Sequence, residues 1–221
     1  MTKKINKIIR WQICCLIFFI SACTQITNNT DTVEGKNKKM AKINQAILTI
    51  QKSIQTGDII TRTGNDFTSE SLRSLNQRNQ TYSHCGIAII EHDSVFIYHA
   101  LGGEWNPNQK LMRETFKNFA SPAANKKIGV FGIKANTRIH SNIIKTIYEL
   151  YHKGITFDMD FDLKTDDKMY CAEFVAKSIE IGSYQTIHFP HSQIKKLEFI
   201  GVDDIFLHPL CFKKAEISYK L

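Results

Sequence analysis

The sequence predicts an α+β fold, an antiparallel sheet packed against helices, and three observations carry that prediction. Apolar residues recur at helical spacing in Ile43, Ile47, Ile50 and Ile54, and again in Ile139, Ile143, Ile144, Ile147 and Leu150. Between these stretches, two apolar β-rich runs from Ser83 to Leu101 flank the polar Glu91-His92-Asp93-Ser94, the pattern of a β-hairpin. The mixture shows no internal repeat and no low-complexity tract, and it reads as α+β around an antiparallel sheet.

The chain opens on a targeting segment. Lys3, Lys4, Lys7 and Arg10 form a positive region, and Ile13 to Ile20 is an apolar run too short to span a bilayer. Ile20-Ser21-Ala22-Cys23 resembles the bacterial lipobox. The resemblance implies a signal peptide over 1–22 and lipidation of Cys23, with acyl chains holding the protein on a membrane. Thr24, in place of Asp, implies sorting to the outer membrane if the bacterium has two membranes. Residues 24–39 are polar with no apolar period, so 23–39 is expected to be the lipidated N-terminus and a flexible tether. The folded domain is expected over 40–221.

With the signal set aside, the composition changes meaning. The chain has 29 basic and 21 acidic residues; removing the four basic residues of 1–23 leaves 25 against 21, a net +4. The lysines are scattered, so no nucleic-acid partner is expected. Of six cysteines, Cys85, Cys171 and Cys211 remain in the folded part. An odd number in a compartment that permits disulfides leaves at least one thiol unpaired. No CxxC or CxxH spacing suggests a zinc site, and no metal or cofactor is implied.

The remaining elements follow in order. A helix is expected over 40–55, stopped by Gly57, then a strand over 58–63 and a short helix over 67–76. The hairpin follows, then weak helical character over 110–120 and a strand over 127–134. The second amphipathic helix is closed by Gly154. A strand is expected over 157–163, a helix over 169–181 closed by Gly182, and an irregular tail of short strand or turn pieces from 185.

Cys171 falls in the first turn of that last helix, behind the capping residues Thr165-Asp166-Asp167. Unsatisfied N–H groups at a helix start stabilise a thiolate. Cys171 also shares a helical face with Phe174, Val175, Ser178 and Ile179, so a plain core residue is the alternative. A two- or four-residue turn centred on His92-Asp93 pairs residues whose numbers sum to 185. It places His84 and His99 as diagonal neighbours on one face, roughly 7–8 Å apart at the backbone. A thiol, a histidine base and a residue holding the base's tautomer make the nucleophile-base-orienter set. Glu91 points to the other face in this register; a three-residue turn would reverse that choice. Tyr82 and Tyr170 flank the pair as weaker candidates to donate to an oxyanion or contact substrate. Cys85 alternates away from His84 and reads as core. Asp158, Asp160 and Asp162 alternate as calcium loops do, but Leu163 and Met169 stand where Gly and Glu are needed, which excludes an EF-hand. They read as the wet face of a strand or as contacts to a substrate amine. Trp105 lies in a Gly-rich segment after His99, either a substrate-contacting rim or an ordinary turn.

Gly57-Asp58-Ile59-Ile60, Tyr82-Ser83-His84-Cys85-Gly86-Ile87 and Tyr170-Cys171-Ala172-Glu173-Phe174-Val175 together resemble the circularly permuted papain-like cysteine hydrolases of the YaeF/YiiX type. Those are relatives of NlpC-type cell-wall peptidases and of lecithin:retinol acyltransferase. The resemblance covers about 57–210, including Phe189-Pro190-His191-Ser192 and Leu207-His208-Pro209. It departs at Ala172, where serine is common, and at His99, where some members carry Glu. It implies a papain-like, circularly permuted fold with a small barrel-like antiparallel sheet, and a Cys171–His84–His99 triad with the Cys171 N–H in the oxyanion hole. The expected protein is a monomeric, membrane-anchored amidase or endopeptidase of the cell envelope, acting on peptidoglycan peptides. A lipid-acting acyltransferase or acyl hydrolase, and a catalytically silent binding lipoprotein, are the alternatives.

Overall fold

The computed structural model describes residues 33–219; the signal segment, the lipidation candidate Cys23 and residues 24–32 lie outside the described residues. The described residues divide into two units, 33–45 and 46–219. In the first, the described residues are helical, the opening part of α1 (33–53). The helix already includes residue 33, ahead of the expected 40. Residues 33–39 contain no proline, and Glu34 and Lys38 pair at 2.9 Å across one turn, an arrangement that supports a helix despite its polar composition.

The second unit is built on a six-stranded antiparallel sheet of β1 (Ile59–Gly64), β2 (His84–Glu91), β3 (Ser94–His99), β4 (Met112–Thr115), β5 (Asn125–Ile133) and β8 (Cys211–Ser218). Their order across the sheet is β4-β3-β2-β1-β5-β8. β4 and β8 are its edges. A separate two-stranded ribbon pairs β6 (Ser192–Ile194) with β7 (Leu197–Phe199). The helices are α2 (Phe67–Ser74), the single turn α3 (Phe116–Phe119), α4 (Thr137–Lys153), α5 (Cys171–Gly182) and α6 (Val202–Phe206).

α4 and α5 pack on each other, and α5 packs on β2 and β3. The core between them holds Ile143 and Ile147 of α4, Phe174, Val175 and Ile179 of α5, and Cys85, Ile87 and Ile89 of β2. Each fully buried Ile or Phe there stabilises the fold by about 1.5–3 kcal/mol. α4 starts where the Asn136 side chain accepts the Ile139 N–H at 2.9 Å and ends on Gly154 at φ 78. That left-handed residue favours glycine.

Three expectations are corrected. Residues 110–120 form a short strand and then one helical turn, because β3 supplies hydrogen-bonding partners to a segment with no apolar pattern of its own. Residues 157–163 are not a strand. The Asp158 carboxylate accepts the N–H groups of Asp160 at 2.9 Å and Asp162 at 2.6 Å, and such local bonds curl a chain away from a ladder. The tail ends in an eight-residue strand, β8, that pairs along β5.

Candidate active site

The hairpin of β2 and β3 places the two histidines. Its register runs from Glu91↔Ser94 to Ile87↔Tyr98, the register in which paired numbers sum to 185. The turn is His92-Asp93, both left-handed, at φ 46 and 62. Two such residues give the type I′ turn that matches strand twist. His84 opens β2 and His99 closes β3 on the same face. Gly86 lies between them, where a Cβ would come within 2.9 Å of the His99 Cβ and 2.7 Å of the Tyr98 carbonyl. A side chain there would force the strands apart.

The rings meet edge to face with centroids 5.0 Å apart, and His84 Nε2 lies 2.8 Å from His99 Nδ1. Phe119 covers both, its centroid 5.8 Å from His84 and 5.3 Å from His99. Burial holds the His84 imidazole well below its ordinary 6.5, helped by the positive Arg62 and by His99. Burial also lowers His99. Both rings are therefore neutral at physiological pH.

Behind His99 stands Glu114 of β4. His99 Nε2 approaches Glu114 Oε1 to 2.9 Å, off the straight N–H direction, so the contact is a bent one. The Arg62 guanidinium reaches the same oxygen at 3.9 Å and lies 4.5 Å over the Phe119 ring. Burial raises the Glu114 carboxyl, but the His99 hydrogen bond and the charge of Arg62 more than offset this, and it stays below the usual range.

Cys171 is the first residue of α5, with Tyr170 as its N-cap. The start is set by Glu173, whose carboxylate accepts the Tyr170 N–H at 3.3 Å. Thr165 and Asp166 do not cap the helix, as their sequence position suggests. They hold Lys177, which donates to the Thr165 carbonyl at 2.6 Å and to Asp166 at 2.8 Å. Lys177 also lies 2.9 Å from Glu173, whose carboxyl burial pushes up to about 7.

The Cys171 thiol is lowered. A hydrogen bond from the Cys85 thiol is the largest cause; burial opposes it; the N–H groups of Cys85 and Ala172 and the charge of Arg62 add to it. The partner thiol, Cys85, is raised by its own complete burial. Cys85 is core, as its alternation implies, and in addition it is a donor to the candidate nucleophile.

Cys171, His84 and Arg62 line one cavity of about 310 Å³. Its walls are mostly apolar, with Leu72, Leu75, Phe157, Phe161, Phe199 and Val202 among them. Tyr170 lines it too, and its hydroxyl accepts the Ile200 N–H at 2.7 Å. Tyr82 has a different task from oxyanion binding. Its ring packs between Phe131 and Phe206, and its hydroxyl donates to Glu216 at 2.5 Å. Glu91 is held on the other face by Tyr98 and Arg113. Leu101 and Gly102 line the cavity, and Trp105 beyond them is fully exposed.

Sequence reasoning missed Glu114 and Arg62. Arg62 pairs opposite His84 on β1, which a β1–β2 alignment would have revealed. Nothing in the sequence singles out Glu114, because its place follows from a strand pairing with no pattern behind it.

No protein-family model matches the chain, and no curated protein matches it. Among solved structures it is similar to the crystal structure of metalloprotein YiiX from Escherichia coli O157:H7. The two are 17% identical over 74% of this chain and 98% of that chain, with a TM-score of 0.61. At that identity the likeness is one of fold: an antiparallel sheet packed against helices, in the YiiX-type arrangement.

Proposed function

We propose that this chain is a thiol hydrolase of the papain-like, NlpC-related kind, anchored to the cell envelope through a lipidated Cys23, that cleaves an amide bond. The observation that carries the reading is the joint opening of Cys171, at a helix start, and of His84 onto one cavity, with His99 buried behind His84 at 2.8 Å. In the proposed reaction the Cys171 sulfur attacks the carbonyl carbon and His84 takes the thiol proton. The Cys171 N–H helps hold the oxyanion. Collapse expels the amine, which leaves with the proton from His84, and forms a thioester. Water then attacks the thioester, His84 accepts its proton, and the acid is released with the thiol restored.

Peptides of the cell wall are the proposed substrates, on the strength of the anchor and the resemblance. One observation favours a second reading, acyl hydrolysis or transfer on a lipid: the cavity walls around Cys171 are mostly apolar. The YiiX structure is described as that of a metalloprotein; among the described residues of this chain no three His, Cys, Asp or Glu side chains converge to hold an ion.

The test offers the protein a p-nitrophenyl acyl ester, muropeptides and phospholipid vesicles in parallel. A burst of p-nitrophenol that disappears in Cys171→Ala is the expected outcome, and the preferred natural substrate then follows from the other two arms. Equal turnover by wild type and Cys171→Ala would sink the assignment.

A further inference from the structure

We propose that Glu114 is a positioning residue for this reaction: through His99 it fixes which nitrogen of His84 carries a proton, and so makes His84 Nδ1 the base. The inference rests on the thiol-hydrolase reading and adds to it a residue from a different strand.

The argument follows the protons. A carboxylate accepts hydrogen bonds and cannot donate them. Glu114 Oε1, 2.9 Å from His99 Nε2, therefore favours a proton on that nitrogen. A neutral imidazole carries one N–H, so His99 Nδ1 is left with a lone pair. His84 Nε2, 2.8 Å away, must then donate to it. That uses the single proton of neutral His84 and leaves its Nδ1 with the lone pair that can take a thiol proton. Without Glu114, the reverse arrangement costs nothing extra: His99 Nδ1–H donates to His84 Nε2, and His84 Nδ1 carries the proton and cannot act as a base. A wrong tautomer is a severe defect in a nucleophile-base pair.

The groups around His99 leave Glu114 as the one that breaks this symmetry. β2 contributes His84, α3 the Phe119 ring, and β1 the Arg62 guanidinium, which offers only donors. His99 itself is 0% exposed, so water does not compete for Nε2. β4 places the carboxylate there by register. Glu114 pairs opposite Ile97 and Met112 opposite His99, so Glu114 lies diagonally across from His99 on the same face.

A counterion role for Glu114 makes the opposite forecast for the thiol. Arg62 stabilises the Cys171 thiolate, and Glu114 partly neutralises Arg62. If that were its whole effect, Glu114→Ala would increase thiol reactivity at low pH and leave the base intact. A positioning role lets thiolate formation persist while proton transfer fails.

Three measurements on the full chain decide it. Nitrogen-15 spectra of the histidine side chains should show His84 and His99 both protonated at Nε2 in the wild type. In Glu114→Ala, a mixture with Nδ1–H forms should appear. Turnover of the p-nitrophenyl ester should fall at least about tenfold in Glu114→Ala, while iodoacetamide still alkylates Cys171 at or below the wild-type pH. Glu114→Gln retains an acceptor oxygen and should restore most of the turnover. Wild-type spectra with His99 protonated at Nδ1 would overturn the proposal even if Glu114→Ala failed to fold. Full turnover in Glu114→Ala would overturn it as well, while loss in Cys171→Ala would still leave the hydrolase reading standing.

Discussion

The β2–β3 hairpin and the strand β4 beside it lie in one sheet and contribute to one site, yet they are held in different ways. The hairpin is locally sufficient. Its two-residue turn and its glycine at Gly86 both specify the same register. β4 has four residues, none buried, and no alternation. It is a strand because β3 offers it a ladder. The two candidate histidines therefore sit on a segment with its own turn signal, while the carboxylate behind them sits on one that depends on its neighbour. Local consistency can place a pair of side chains together; the carboxylate beside them comes from tertiary pairing.

That comparison can be tested from its strongest consequence downward. Cys171→Ala and His84→Ala should each reduce acyl-ester turnover by roughly 10⁴-fold or more, and the double variant should lose nothing further, because the two act as a unit. Additive losses in single-turnover kinetics would separate the hairpin from the helix start and undo the site. His99→Ala should keep a weak residual rate, since an orienter assists proton transfer without performing it.

Phe119 is where the two regions meet, covering both histidines and Arg62. Phe119→Ala should cost about 3–5 kcal/mol in urea denaturation. A cost below about 1 kcal/mol would mean that hairpin and β4 face are not packed as one.

The buried histidines also tie stability to pH. Above 6.5 both are neutral folded or unfolded. Below it the unfolded chain gains protons that the folded one refuses, because the folded values are depressed. Stability should thus decline as pH falls from about 6.5, by up to about 1.4 kcal/mol per unit for each histidine. An unchanged urea midpoint between about pH 7.5 and 5.5 would contradict the burial of neutral rings.

The smallest effect belongs to the other face of the hairpin. Cys85→Ala removes a donor to the Cys171 sulfur. Its alkylation profile should move upward by about one unit or less, with little change in turnover. A shift downward would mean that Cys85 does not stabilise the thiolate.

The sequence by itself determined whatever rests on neighbours along the chain. Apolar spacing marked α4 and its Gly154 stop. The polar His92-Asp93 turn, taken with a two-residue loop, set the register that joins His84 to His99. Residue order alone placed Cys171 near a helix start. Tertiary structure decided the rest, for reasons that differ by element. The curl at Asp158 comes from side-chain acceptors that outcompete a ladder, so β-compatible residues at 157–163 never form a strand. The start of α5 moves to Cys171 because buried Glu173 holds the Tyr170 N–H, while Thr165 and Asp166 are drawn off by Lys177. Glu114 reaches the histidines of β2 and β3 from β4, Arg62 reaches them from β1, and the Cys85 thiol reaches Cys171 from β2 to α5. Contacts of that kind are selected by which surfaces the core brings together, and no local pattern in the chain records them.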